Sequence, residues 1–343
     1  MYRPQLLIIC LIILIGLLLR AYDGAAKLDF GHDGDLYSWI VKDIVADGHL
    51  RLIGQETSTP GIFIGPFFYY LLIPFFLLTN MDPVGGLVFA IVLSIFTMLS
   101  FYIVFARLFN TTVGMLALFL QAVLPARMGL DRWVVPTVTS SLWEVWYFLA
   151  IFMIARGNFM ALPLLGFLVG LIWHINFSLA PALIAIPAAF FFARKIPNLK
   201  QIGLCFLGFI IPSIPLVVFE IRHGFSQLHS FINSFSVNQG GGSGIDKLSR
   251  VINYVSGGAS DLFFYPHQLT ITQDLIFFFC LLVLGSVLVI KNVLSPSLYK
   301  IMIIWILGMI GYFSISSKII SEYYFSNLNI IFLSIVILGL SYL

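Results

Sequence analysis

Eleven continuous apolar runs divide this 343-residue chain, and no other feature restricts its fold as much. About 20 apolar residues cross the hydrocarbon core of a bilayer as a helix, and inside lipid only helices and closed barrels satisfy every backbone amide. The runs do not alternate apolar and polar residues at period two, so a barrel is disfavoured. The expected fold is all-α, a polytopic transmembrane bundle of about eleven helices forming a single membrane domain over 1–343. The expected spans are 6–19, 61–79, 84–106, 112–127, 133–155, 159–173, 176–193, 201–220, 271–290, 299–316 and 324–343. With 10% charged residues and a mean hydropathy of +1.03, the composition is far from that of a soluble domain. The first run follows Arg3 but ends in no small-residue cleavage site, so it reads as the first helix rather than a signal peptide.

The charges fix an orientation and expose a conflict. Eighteen Lys and Arg against fifteen acids leave +3, scattered without a run that would hold nucleic acid. Arg194, Lys195, Lys200, Lys291 and Lys300 belong in the cytoplasm by the positive-inside rule, so the two long loops, 23–60 and 221–270, face outward in a plasma (inner) membrane. An odd number of spans must then separate 23–60 from 194–200, yet six are counted. Segments 112–127 and 159–173 are short for a crossing, and one of them is expected to be a half-span or to merge with its neighbour. Cys10, Cys205 and Cys280 all fall in apolar runs, where a small buried hydrophobe is the ordinary reading.

Seven of the fifteen acids lie in 23–60: Asp23, Asp29, Asp33, Asp35, Asp43, Asp47 and Glu56. Leu36, Trp39, Ile40, Ile44 and Val45 recur at helical spacing, with Lys42, Asp43 and Asp47 largely elsewhere, which predicts an amphipathic helix at the membrane surface ending near Gly48. Gly31-His32-Asp33-Gly34-Asp35 stands just before it. Asp33 or Asp35 suits a helix N-cap. Capping is compatible with chemistry: Asp33 taking a proton from an acceptor hydroxyl, with Asp35 orienting the acceptor or offering a ligand to a divalent cation. No cofactor is required by these motifs, and the Asp35 cation is the one metal option.

Beyond that helix come Gly54-Gln55-Glu56-Thr57-Ser58-Thr59-Pro60 and then Gly65-Pro66-Phe67-Phe68-Tyr69-Tyr70. The arrangement resembles the C-type glycosyltransferases, in particular the branch of protein O-mannosyltransferases, aminoarabinose transferases and their bacterial relatives. In that family an Asp-containing motif follows the first span, juxtamembrane helices come next, and the second span opens on a Pro-aromatic stretch. The segment from Pro215 through Glu220, Arg222 and His223 to Phe225 resembles a stretch before the family's second outer loop, and Lys318 with Tyr323 and Tyr324 resembles residues before its late span. Two features depart from the pattern: Gly34 separates acids that are often adjacent, and no Arg occupies 80–83. The resemblance implies an inverting transfer of a hexose or pentose from a polyprenyl-phosphate carrier to a protein, lipid or glycan hydroxyl in the cell envelope, with Asp33 as general base.

The donor phosphate needs a basic partner, and Lys318, Arg132 and Arg127 are the candidates. Anchoring by positive-inside charge competes for the arginines, and snorkelling for Lys318. His32, Tyr69, Tyr70, Arg222, His223, Tyr323 and Tyr324 are candidate acceptor or donor contacts. Glu144, in mid-span, reads as a buried partner of Arg132 or of another polar group, or as part of a pathway. His174 and Asn176 read as a helix connection, and His223, His229 and His267 lack zinc-ligand spacing. Glycines from Asn238 to Gly244 make the second loop either a lid or a slack connector. Acceptor recognition is expected from the two long loops or from a partner. The rival reading is a transporter or lipid flippase with Asp33 and Glu144 on the path, against which stand the absence of an internal repeat and the clustering of acids outside the spans. A scaffold that keeps the fold without the reaction is the third.

Overall fold

The computed structural model describes residues 3–24, 26, 30–234, 241–242 and 244–343, without the Arg3 side chain, and the described residues are helices and loops with one isolated bridge, Glu56 to Phe63. In chain order the helices are α1 (Arg3–Ala21), α2 (His32–Ala46), α3 (Phe67–Leu78), α4 (Val84–Leu108), α5 (Thr111–Val123) and α6 (Pro125–Arg132). After the 3₁₀ turn Pro136–Thr139 come α7 (Ser140–Ala155), α8 (Leu162–Ile175), α9 (Ala185–Ala193) and α10 (Leu199–Arg222). The second long loop holds α11 (Ser226–Ser234) and α12 (Gly244–Asp261), and α13 (Ile271–Ile290), α14 (Pro296–Ile315) and α15 (Asn329–Tyr342) complete the bundle.

All eleven expected segments are helical, but they do not all cross. Among the described residues seven helices are long and apolar enough to span a bilayer, α5 and α6 together make an eighth bent by 62°, and Phe159–Ile175, Phe177–Ala193 and Phe67–Leu78 are shorter. The first two of these shorter ones run between the same two ends as the long helices. At the far end Arg156 donates to the Leu108 carbonyl (3.2 Å) and Gly157 lies against Lys195. At the loop end Gly65 N–H donates to the Trp173 carbonyl (2.7 Å).

Helix α3 is the exception, and it removes the parity conflict. Tyr37 of α2 packs edge-on against both Phe68 and Phe76, at 6.0 and 6.1 Å, so α3 lies alongside α2 instead of leaving it. Its two ends meet the same loop end: Phe67 stacks on His174 (4.2 Å), while Gly85, just beyond Leu78, sits against Phe75 and Thr79. Segment 61–79 is therefore not a span. Its first residues form an extended hairpin with 54–57, closed by Gly54 N–H to Ile64 O and Thr57 N–H to Ile62 O, both 2.7 Å. Segments 112–127 and 159–173 both pass, with α5 and α6 parting at Leu124 because Pro125 cannot donate to the helix behind it.

Helix α7, with its preceding turn, is the pillar, 78% buried, and the last span is 72% buried, whereas α1 and α10 are 17% buried and face lipid. Helices α8 and α10 run parallel in close contact because Gly166, Gly170 and Gly208 leave no side chain between the backbones; a Cβ at Gly166 would stand 1.9 Å from the Cys205 carbonyl oxygen. Cys10 and Cys280 are exposed on the lipid face and Cys205 is half-buried, so none of the three is the buried hydrophobe expected.

Candidate active site

Helix α2 begins at His32, with Gly31 in the N-cap position and no side-chain cap. Asp33 and Asp35 thus sit inside the first turn, not before the helix and not at its cap, and their charges complement the N-terminal end of the dipole. Two positions apart on a helix, they face different ways. Asp33 is half-buried and Asp35 exposed. The buried stripe is Tyr37, Ile40, Val41 and Ile44; Trp39, expected on the apolar face, is 59% exposed with the Lys42 ammonium over its ring at 4.6 Å.

Around Asp33 gather two tyrosines from distant parts of the chain. Its carboxylate is within electrostatic reach of the phenols of Tyr69 and Tyr323. Burial pushes the Tyr69 phenol well above its ordinary range, and the Asp33 charge adds to this, so Tyr69 stays a neutral hydrogen-bonding group. Its hydroxyl donates to Gln55 Oε1 (3.0 Å) and accepts from the Gln55 N–H (3.1 Å), while Tyr70 Oη donates to the Arg51 carbonyl (3.0 Å). Tyr323 packs edge-on against Trp133 (5.7 Å) and Tyr324 (4.7 Å).

The hairpin that begins at Gln55 ends on Lys318. Lys318 Nζ donates to Thr59 Oγ1 (3.5 Å) and to Ser234 Oγ (3.3 Å), joining the first loop, the second loop and the segment before the last pass. Thr59 and Ser234 are buried, Lys318 half-buried, and burial holds its ammonium below the ordinary lysine pKa. Gln55 and Thr59 are four residues apart in extended chain, at most about 13 Å. Asp33 and Lys318 therefore lie at the same end of the bundle, joined through Tyr69 and this hairpin.

The second loop also fixes the Lys318 backbone. Lys247 of α12, 1% exposed, donates to the carbonyls of Ser316 and Lys318, the latter at 2.8 Å, and Gly241 N–H donates to the Ser317 carbonyl (3.2 Å). Three consecutive carbonyls are thus held by Gly241 and Lys247. Sequence reading missed Thr59, Ser234 and Lys247, whose only signal is a polar side chain in a long loop. Lys247→Met is expected to lower stability by about 1.5–3 kcal/mol, the loss of hydrogen bonds given by a charged group, which thermal unfolding in detergent checks.

The arginine candidates are occupied elsewhere. Arg127 and Glu144, each 1% exposed, form an ion pair at 2.8 Å, and Arg127 also donates to Ser141 Oγ (2.9 Å). Glu144 is thus the partner of Arg127 and not of Arg132. Arg132 donates to the carbonyls of Leu19 (2.6 Å) and Arg20 (3.2 Å), closing the C-terminal end of α1. Arg20 in turn pairs with Asp131 at 2.7 Å and is 1% exposed. His174 is buried, its Nε2 on the Pro212 carbonyl (2.7 Å) and its Nδ1 accepting from Phe67 N–H (3.4 Å).

The remaining candidates are exposed, paired elsewhere or outside what is described. His32, Arg222, His223 and His229 are exposed, and His223 stacks on Phe219 (4.1 Å). His267 bridges Asp261 (2.5 Å) and Asp274 (3.3 Å); burial opposes its protonation, but the two carboxylates outweigh that and raise its pKa. Asp29, Asn238, Gln239, Gly240 and Ser243 lie outside the described residues, so most of the stretch expected to act as a lid does too. Asp43, Asp47 and His49 are close enough to hold a cation, but they are surface groups, and Asp43 is already paired with Arg51 at 2.5 Å.

The oligosaccharyltransferase of Archaeoglobus fulgidus, solved in complex with zinc and sulfate, resembles this chain in fold, with 15% sequence identity and a TM-score of 0.52 over 98% of this chain and 49% of that one. This chain spans about half the length of that protein, and at this identity the likeness shows a shared helical membrane fold. No protein-family model and no curated protein matches the sequence.

Proposed function

We propose that this protein is a membrane glycosyltransferase that moves a sugar from a polyprenyl-phosphate carrier to an acceptor hydroxyl at the outer face of the membrane. The observation that carries this reading is that a half-buried carboxylate, Asp33, and a half-buried ammonium, Lys318, lie at the same end of the bundle, linked through Tyr69, Gln55 and the hairpin that reaches Thr59. The fold shared with an oligosaccharyltransferase supports it. So does the charge pattern: the far end carries Arg107, Arg156, Arg194, Lys195, Lys200, Lys291 and Lys300 without an Asp or Glu beside them, as the positive-inside rule expects of a cytoplasmic end.

In the proposed step the acceptor O–H gives its proton to the Asp33 carboxylate while its oxygen bonds to the anomeric carbon. The bond from that carbon to the phosphate oxygen breaks, its electron pair leaves with polyprenyl phosphate, and the anomeric centre inverts. Lys318 faces the phosphate and offsets the charge that grows on it. Arg127 and Arg132 hold the bundle together instead. Asp35 contributes through the helix dipole alone, so EDTA is expected to leave the rate unchanged; loss of activity on chelation would return a cation to the site.

Donor binding should follow the charge on Lys318. Binding is full while the ammonium is protonated and is lost as pH rises through its lowered pKa, earlier than the ordinary lysine value of about 10.4. A donor-binding titration with pH checks this, and Lys318→Arg is expected to keep binding at high pH. Vesicles holding the protein and labelled polyprenyl-phosphate sugar separate this reading from a flippase. The label leaves the lipid if the protein is a transferase and changes leaflet intact if it is a flippase.

A further inference from the structure

A groove of about 530 Å³ runs between α2 and the hairpin that follows it, within the size range of small-ligand sites. Its inner end meets the Asp33 region, because Gln55 on its wall is bonded to the same Tyr69 phenol that feels the Asp33 charge. His32 and Leu36, which flank Asp33 along α2, also line it. A molecule lying in the groove would therefore present one end to Asp33.

The lining says what kind of molecule fits. Leu36, Trp39, Ile40 and Phe63 give an apolar floor, and Trp39 is an aromatic ring left largely unpacked, steadied by Lys42. Around the floor stand planar hydrogen-bonding groups. Asp43 and Arg51 pair with each other, and the Arg51 Nε–H is buried without a partner, a donor still to be satisfied. The Glu56 carboxylate is turned back onto the Gly61 N–H (2.5 Å). The guanidinium is thus spent on Asp43, so a phosphorylated ligand finds no free cation on the lining, and the carboxylate left over, Glu56, keeps its charge while holding one oxygen against a backbone N–H. Neutral sugar rings, with apolar faces and a rim of hydroxyls, match an exposed indole bordered by amide, carboxylate and guanidinium groups.

We infer that this groove binds the acceptor and that the acceptor is a neutral glycan, one hydroxyl of which reaches Asp33. The inference rests on the assignment of Asp33 as base, but binding is measured without donor or turnover, so the two fail separately. The test is saturation-transfer NMR on the full chain in a detergent without a sugar headgroup, using maltotriose, cellotriose and mannotriose, with a neutral Ser/Thr peptide alongside. At least one trisaccharide is expected to give transfer that falls about fivefold in Trp39→Ala, a loss on the scale of one aromatic contact, and that Trp39→Phe restores. Arg51→Met is expected to weaken the same signal. No transfer to any trisaccharide, transfer unchanged in both Trp39→Ala and Arg51→Met, or Trp39-dependent binding of the peptide alone would each overturn the proposal. Loss of sugar transfer from the lipid donor with trisaccharide binding intact would instead overturn the reading of the reaction and leave the groove standing.

Discussion

Replacing Asp33 with Asn is expected to lower the rate of sugar transfer by about 10²–10⁴-fold, the contribution of a positioned general base, while donor affinity stays within about twofold of wild type. The amide keeps the shape of the carboxylate and its place in the first turn of α2 but cannot take the acceptor proton. The proposed phosphate site is at Lys318, whose ammonium bonds to Thr59 and Ser234 and not to Asp33. The signature is a loss in kcat with donor KM unchanged, the mark of an interaction made only in the transition state. Asp35→Asn provides the contrast. It removes a charge from the same helical turn at an exposed position, and its cost is expected to stay within a few fold, as a dipole partner's would. Equal losses in the two variants would show that the turn needs its charge and not the Asp33 base.

The largest expected loss of stability comes from Arg127→Met. The guanidinium is 1% exposed and bonded to Glu144 and Ser141, with Phe101 beneath it at 5.7 Å. Removing it strands the Glu144 carboxylate inside the bundle, and breaking a buried pair from one side costs about 3–5 kcal/mol. Replacing Arg127 and Glu144 together with Met leaves no stranded charge and is expected to recover most of that loss. Thermal unfolding in detergent of the two single variants and the double variant measures the coupling. If the double variant loses as much as the two singles combined, the pair is not the unit of stability described above.

Hydropathy located the apolar helices because an apolar run in lipid has no alternative to a helix, but it left α12, which packs Val251, Val255 and Ala259 into the core, inside a loop. It could not tell a helix that crosses from one that lies beside another. Segment 67–78 is as apolar as its neighbours, and only the packing of Tyr37 against both Phe68 and Phe76 shows that α3 stays at the loop end. The parity of charges signalled an error in the count without saying where it lay. Asp33 was legible because an acid just after a first span stands out locally. Its separation from Asp35 was not, because it depends on the helix starting at His32, with Gly31 as cap, and not after Asp35. Thr59, Ser234 and Lys247 meet Lys318 across 259, 84 and 71 positions, and no spacing rule reaches that far. The Arg127–Glu144 pair was half legible: a mid-span carboxylate demands a partner, but the bend at Leu124 decides which arginine supplies it.

The most direct measurement uses the purified protein with polyprenyl phosphate carrying a labelled sugar and follows release of free polyprenyl phosphate together with the fate of the label. The account predicts stoichiometric release and transfer of label to a hydroxyl acceptor with inverted anomeric configuration, and neither event in Asp33→Asn. Label that stays on the lipid with wild-type protein, or release that continues undiminished in Asp33→Asn, would contradict it.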